Sequence, residues 1–251
     1  MTIASPSDHD LAGRLATEAG RILLDLRKSG LEGDELEKAG DRRSHEFLTA
    51  ALNETRPDDG VLSEEGADSS TRLGHRRVWV VDPLDGTREF GERPRDDWAV
   101  HVGLAIEGIA VIGAVALPAR GLTLGTATPP VVPPRRDGPI RLAVSRTRPP
   151  EHTHALADRL GADVVPMGSA GVKAMAVVLG EADLYAHSGG QYEWDSAAPV
   201  AVAVAAGLHA SRLDGTPLRY NQPNPWLPDL LICRPELADQ VVAICREAAS
   251  S

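Results

Sequence analysis

Six consecutive residues, Asp82-Pro83-Leu84-Asp85-Gly86-Thr87, carry the densest chemistry in the chain. They follow the apolar run Val78-Trp79-Val80-Val81, whose β-branched residues predict a strand. Pro83 fixes its own φ and biases Asp82 toward an extended conformation. Gly86 tolerates whatever φ the next turn needs, and Thr87 suits a helix N-cap. The segment reads as strand, rigid turn and helix start, with two carboxylates beside backbone N–H groups that have no intrahelical partner. Carboxylates and carbonyls are the ligands of hard cations such as Mg2+. Free N–H groups at a helix start favour a phosphate. A bridging phosphate would then contact metal on one side and backbone on the other. The bland alternative is a surface turn, because Pro-Leu-Asp-Gly is a respectable turn sequence.

Spacing removes two rival motifs. Haloacid-dehalogenase-type phosphatases carry Asp-x-Asp-Gly-Thr; here Pro83 stands two residues before Asp85, where the nucleophilic aspartate would be. A calcium-binding EF-hand loop needs acidic ligands through its twelfth position, and Arg88 and Phe90 do not supply them.

Composition narrows the substrate. The formal net charge is -10, which argues against polymeric DNA or RNA as a partner. An anionic substrate then needs recruited cations, and carboxylate-bound metal is the obvious device. Cys233 and Cys245 are too few and too isolated for a disulfide framework or a zinc site, and fit a reducing compartment. Met1 to Asp10 lacks the basic and apolar regions of a signal peptide. The longest apolar stretch, Ile109 to Leu117, is too short to span a bilayer. The expectation is a cytoplasmic protein with no membrane partner.

The elements that must position the acidic segment follow from periodicity. Leu11, Leu15, Ala19, Ile22, Leu23 and Leu26 predict an amphipathic helix over residues 8–28. Gly30 to Gly40 reads as a polar loop, and Asp41 as the start of a second helix that ends before Pro57. Val61-Leu62 is a short apolar run leading into Glu64-Glu65. Ala99 to Ile106 and Ile109 to Leu117 predict a hairpin through Glu107-Gly108, and Leu122 to Thr126 a further β-run. Four prolines between Thr128 and Pro134 form a linker. Beyond it come a strand at Ile140–Val144, helices at Glu151–Leu160 and Val172–Leu179, and a strand at Asp183–His187. A nearly all-apolar helix at Asp195–Ala206, a strand at Leu230–Cys233 and a closing helix at Glu236–Ala248 complete the chain. The order implies layered α and β in two lobes: residues 1–134, an N-terminal α+β lobe with most of the acidic residues, and residues 135–251, an α/β lobe contributing Asp195.

Three ordered motifs, Glu64-Glu65, the hexapeptide, and Trp194-Asp195-Ser196-Ala197-Ala198, resemble the signature of the inositol monophosphatase superfamily. The resemblance runs from the first helix to the last strand. It implies an αβαβα sandwich of the sugar-phosphatase type. It also implies a site in which Glu64, Asp82, the Leu84 carbonyl, Asp85 and Asp195 bind two or three Mg2+ ions. Asp41 resembles the early aspartate that pairs with the hexapeptide threonine; its flanking residues depart from the commoner pattern, and a helix N-cap is the alternative. The implied reaction is attack of a metal-activated water on a phosphate ester, with Thr87, oriented by Asp41, relaying the proton.

Two segments lean toward the branch that hydrolyses 3′-phosphoadenosine 5′-phosphate (PAP) in sulfur metabolism, the CysQ-type enzymes of actinobacteria. Gly168-Ser169-Ala170-Gly171-Val172-Lys173 resembles the Gly-x-x-x-x-Lys segment of that branch, implying that Ser169 and Lys173, with Gly86 and Thr87, contact substrate. Lys173 alone reads equally well as an exposed helix lysine. Where the inositol enzymes carry a substrate-binding Glu, this chain has Ser188. The implied activity is that of a 3′(2′),5′-bisphosphate nucleotidase acting on a small phosphorylated metabolite. The alternatives are a fructose-1,6-bisphosphatase, an inositol-1-phosphatase, or a metal-binding scaffold that docks on a protein complex. The family resemblance also implies a homodimer and lithium inhibition.

Overall fold

The computed structural model describes residues 4–66, 70–147, 149 and 152–249. Helix α1 (Pro6–Arg27) starts with proline at its first turn and buries Leu11, Leu15, Ala19, Leu23 and Leu26 along one face. Buried Asp8 opens this helix and pairs with Arg56 at 2.7 Å and Arg77 at 3.1 Å. Helix α2 (Gly33–Thr55) begins eight residues before Asp41, contrary to the expected loop over Gly30 to Gly40. Its buried face, Leu36, Ala39, Gly40, Ser44, Leu48 and Leu52, keeps helical spacing straight through the glycines. Gly40 is needed there, since a Cβ would lie 2.8 Å from Phe90 and 2.9 Å from Leu84. Asp41 is therefore mid-helix, and its reading as an N-cap is corrected.

The first sheet has the order β1-β2-β3-β4-β5, with β1 (Gly60–Ser63) parallel to β2 (Arg77–Asp85) and antiparallel pairing onward through β3 (Ala99–Ile106), β4 (Ile109–Leu117) and β5 (Leu122–Gly125). Strand β2 continues through Asp85, so the expected strand end at Val81 is too early. Gly86, at φ 88°, then caps a five-residue helix α3 (Thr87–Gly91), so the N-cap is Gly86 and not Thr87. The hairpin between β3 and β4 is as expected, with Glu107 and Gly108 both at positive φ.

The second sheet has the order β7-β6-β8-β10-β9. Its strands are β6 (Arg141–Ser145), β7 (Asp163–Met167), β8 (Leu184–Tyr192), β9 (His209–Ser211) and β10 (Trp226–Cys233). Helices α4 (His152–Leu160), α5 (Ala170–Val178), α6 (Glu193–Ala205) and α7 (Ala238–Ala249) connect or close it. Glu151, expected to open α4, lies outside the described residues. Strand β7 was not expected; it is an exposed edge with Pro166 near its end, and so lacks the apolar alternation of the others.

The layers follow from which faces are apolar. Trp79 and Val81 pack with α1 and α2, while Val78 and Val80 face α5 and α6. A strand covered on both faces reads as a continuous apolar run. Leu142, Leu184 and Leu231 turn outward from the second sheet onto Leu156 of α4 and Val241 and Ile244 of α7. The result is an αβαβα sandwich of two sheets with α5 and α6 between them.

The middle layer depends on close approach. A Cβ on Gly113 would lie 2.3 Å from the Ala198 carbonyl oxygen, and one on Gly103 would lie 3.0 Å from the Ala198 amide nitrogen. Backbone at this distance cannot rotate away as a side chain can. Gly113→Ala should therefore lower stability by about 2–3 kcal/mol, read as a lower urea midpoint with unchanged slope; an unaltered midpoint would contradict so tight a crossing of α6 over the sheet. The proline linker is pinned at its far end. Arg234 donates to the Pro133 carbonyl at 2.9 Å while also pairing with Oδ1 of fully buried Asp183 at 3.0 Å, and Arg141 holds the same oxygen at 2.9 Å and Oδ2 at 3.0 Å.

Candidate active site

The hexapeptide turn is shaped by its own hydrogen bonds. The Leu84 N–H donates to Asp82 Oδ1 at 3.0 Å, and Ser44 of α2 donates from Oγ to the Pro83 carbonyl at 2.7 Å. These contacts aim Asp82 and Asp85 toward the start of α6. There Asp195 sits in the first turn and accepts the Tyr192 N–H at 2.7 Å, so it caps the helix and still presents an oxygen outward. Carboxylate oxygens of Asp82, Asp85 and Asp195 all come within 4.8 Å of one another.

Glu64, just after β1, is exposed as a residue, but its carboxyl is shielded from solvent where it shares a hydrogen bond with Asp82. Glu65 beside it is exposed. The Leu84 carbonyl accepts from Thr87 Oγ1 at 3.1 Å, and the same hydroxyl lies 3.2 Å from Asp41 Oδ1. Mid-helix placement therefore brings Asp41 to Thr87, as the resemblance implies. Gly86 stands beside Ser169, 3.2 Å from where its Cβ would be.

Electrostatics separate the carboxyls. Burial, and then the neighbouring charge of Asp195, raise Glu64 to about 7. Burial and then Asp85 raise Asp195 to about 7, against the Tyr192 N–H, His101 and Lys173. Asp82 is raised well above the carboxylate range by burial, Glu64 and Asp85. Asp41 reaches about 7 through burial and Glu65, despite the Thr87 bond. Asp85 goes the other way. Burial alone would raise it, but His101, Ser169 and Lys173 outweigh that and hold it at about 2.

The partners of Asp85 come largely from the second half of the chain. Ser169 Oγ donates to it, as do the N–H groups of Ala170 at 3.0 Å and Gly171 at 2.6 Å. Ser169 also caps α5 by accepting the Val172 N–H at 3.0 Å. Lys173 is 4% exposed, so it is not a surface helix lysine. Its Nζ donates to the Gly168 carbonyl at 3.2 Å and to the Ser169 carbonyl, and sits 5.4 Å from the Tyr185 ring centroid.

His101 is the residue that sequence reading missed. It is fully buried on β3, with Nε2 3.1 Å from Asp85 and Nδ1 3.0 Å from the Trp194 carbonyl. It thereby ties the hexapeptide to the peptide preceding Asp195. Gly171 makes room for it, since a Cβ there would lie 2.0 Å from the ring. The available signal was a lone polar residue among Ala99, Gly103 and Ala105 on one face of an apolar strand.

These residues open onto a cleft of about 620 Å³ whose walls include Asp85, Thr87, Arg88, Ser169, Lys173 and Asp195. The clustered acids, most of them with raised affinity for protons, could hold a cation next to a polar cleft able to take a small anionic ligand.

Residues 9–249 match the inositol monophosphatase family. The chain is 48% identical to a 3'-phosphoadenosine 5'-phosphate phosphatase of Mycobacterium leprae (strain TN), over 97% of this chain and 95% of that protein. It is 30% identical to the 3'(2'),5'-bisphosphate nucleotidase CysQ of Escherichia coli (strain K12), over 87% of this chain and 96% of that one. In three dimensions it is similar to inositol monophosphatase II from Staphylococcus aureus MSSA476, with a TM-score of 0.80, 22% identity and 95% coverage of both chains. It is also similar to CysQ from Bacteroides thetaiotaomicron, with a TM-score of 0.78 and 26% identity, covering 91% of this chain and 97% of that one. A match over nearly the whole length, with the hexapeptide and Asp195 converging on one cleft, means that the chain belongs to the inositol monophosphatase family.

Proposed function

We propose that this protein is a magnesium-dependent phosphomonoesterase that hydrolyses PAP to AMP and phosphate. The observation carrying the reading is the meeting of Asp82, Asp85 and Asp195 oxygens within 4.8 Å, in a chain about half identical to PAP phosphatases. The donor set fits a hard divalent cation. It is all oxygen, and three acidic groups in it are pushed toward protonation in the absence of a counter-charge. Asp82, Asp85 and Asp195, with Glu64 and the Leu84 carbonyl, would hold two or three Mg2+ ions. When bound, those ions supply Lewis acidity to the phosphoryl group and to the attacking water.

The chain's own residues do the rest. Thr87 Oγ1 takes a proton from the attacking water and hands its own to Asp41 Oδ1, 3.2 Å away. With a pKa of about 7, Asp41 is matched to that task near neutral pH. No covalent phosphoenzyme is required. His101 and the start of α5 hold Asp85 in one orientation, which keeps the site assembled without reorganisation during reaction. Gly86, Thr87 and Ser169 line the phosphoryl end of the cleft, and Lys173 places a buried positive charge beneath it.

Residues 1–134 and 135–251 act in this reading as two lobes that each contribute carboxylates or their supports. A homodimer and lithium inhibition belong to the same reading and rest on the family resemblance, while a cytoplasmic location rests on the free cysteines Cys233 and Cys245. No helix among the described residues is long and apolar enough to cross a membrane. The deciding measurement is phosphate release from PAP, fructose 1,6-bisphosphate and inositol 1-phosphate, with and without Mg2+. PAP should give the highest kcat/KM, and only with the metal. Faster turnover of either sugar or cyclitol phosphate, or turnover in excess chelator, would sink the assignment.

A further inference from the structure

The cleft holds three residues able to carry positive charge, and they differ in what they are free to do. Lys173 is buried, and its ammonium is held by the carbonyls of Gly168 and Ser169 in its own helix start. His187 is tied to the Gly189 carbonyl at 2.8 Å. Arg88 is exposed, lines the cleft one residue beyond Thr87, and makes no ion pair among the described residues. The acids that follow it in sequence have other partners. Arg146 holds Glu89 at 2.7 Å and Glu92 at 2.6 Å. A guanidinium left free at the mouth of an acidic cleft, in a chain of net charge -10, is placed for an anion.

We propose that Arg88 receives the second, unhydrolysed phosphate of a bisphosphorylated substrate, and so sets the preference for bisphosphates over monophosphates. This rests on the PAP reading above. The acidic cluster and Thr87 occupy the end where one phosphate reacts. The other phosphate of the same molecule carries a charge that the acids nearby would repel, and it needs a cation outside the metal cluster. Arginine's planar fork offers two parallel N–H donors to phosphate oxygens, which a lysine ammonium does not. Lys173, with its donors turned inward, stabilises the acidic cluster and its own turn.

The test compares kcat/KM for PAP with kcat/KM for 3′-AMP, which keeps the reacting phosphate and lacks the 5′ one, in wild type, Arg88→Met and Arg88→Lys. Circular dichroism melts check that each variant folds. The wild-type ratio should favour PAP. Arg88→Met should lower that ratio by about 30-fold, the scale of a lost charged hydrogen-bonding pair, through KM more than kcat; Arg88→Lys should fall between. Equal losses on both substrates, or an unchanged ratio, would overturn the role of Arg88 while leaving PAP hydrolysis intact. A wild-type enzyme that releases no phosphate from PAP would overturn the substrate reading and, with it, this inference.

Discussion

Asp82→Asn abolishes turnover and leaves the metal-free protein more stable than the wild type; both effects are expected from one buried side chain. Asp82 is fully enclosed, with Glu64, Asp85 and Asp195 around it. Asparagine has the same shape, and its amide oxygen still accepts the Leu84 N–H that Asp82 Oδ1 takes at 3.0 Å. What disappears is an ionisable carboxyl. In chelator that carboxyl is a liability, because burying it beside Glu64 and Asp85 costs either like-charge repulsion or the uptake of a proton on folding. Its removal should raise the melting temperature by about 2–4 °C, corresponding to about 1 kcal/mol in a chain of this size. In the proposed reading the ionised carboxyl is a ligand of Mg2+, and turnover should fall by about a thousandfold or more, at least the loss of one preorganised oxyanion donor. Asp85→Asn is a poorer probe. Asp85 also accepts the Ala170 and Gly171 N–H groups, and an amide there would set its own N–H against one of them. Melts in chelator and phosphate release at saturating Mg2+ check the pair of effects. Retention of most magnesium-dependent activity by Asp82→Asn would remove Asp82 from the metal site, and a lower melting temperature in chelator would refute the repulsion argument.

Stability of the metal-free protein should fall as pH rises from about 5 to about 8, and Mg2+ should reverse the trend. Glu64, Asp195 and Asp41 are each raised to about 7 in the folded state, against about 4 in an unfolded chain. The folded protein therefore binds more protons than the unfolded one between those values, and stability declines as pH rises through the window. His101, also raised through Asp85 against the effect of burial, contributes in the same direction. Acids of opposite sense do not interfere. Asp8 is held at about 2, burial being outweighed by the Ser5 N–H and Arg56, and Asp85 lies at about 2; their stabilisation is lost only on acidification below about 4. Because the acids share one site, their effects do not add, and a total on the order of 3 kcal/mol is expected. If the acids hold Mg2+ as proposed, it binds their deprotonated forms, so a hundredfold excess over its dissociation constant adds about 2.7 kcal/mol, chiefly at the alkaline end. Urea midpoints across this range, in chelator and in Mg2+, give both curves. A metal-free curve that is flat or rises with pH would show that these carboxyls are not crowded together.

The same residues mark the boundary between what a linear reading reaches and what packing decides. The hexapeptide declares itself because its turn chemistry and both carboxylates are contiguous. Trp194-Asp195 is legible because a capping acid opening an apolar helix is a local pattern. The αβαβα layering follows from β2, β3, β4 and α6, whose apolar content exceeds what one covered face requires. By contrast, the start of α2 was misplaced. Gly33 and Gly40 look like loop punctuation, and only the seating of Phe90 and Leu84 against Gly40 shows why helix is favoured there.

The sequence by itself determined the family, the order of layers and the acids that are candidates to hold metal, because each is encoded in neighbouring residues or in a repeat of two or 3.6 along one segment. Tertiary structure alone decided that Lys173 is buried, that His101 joins β3 to the Asp195 helix, that Asp85 accepts from the first N–H groups of α5, and that Arg88 makes no ion pair among the described residues. Those outcomes depend on which segments distant in the chain come within a few ångströms of each other, and on which charges are already neutralised by such neighbours. No local pattern carries that information, since the free energy of a buried charge is set by what packing brings beside it.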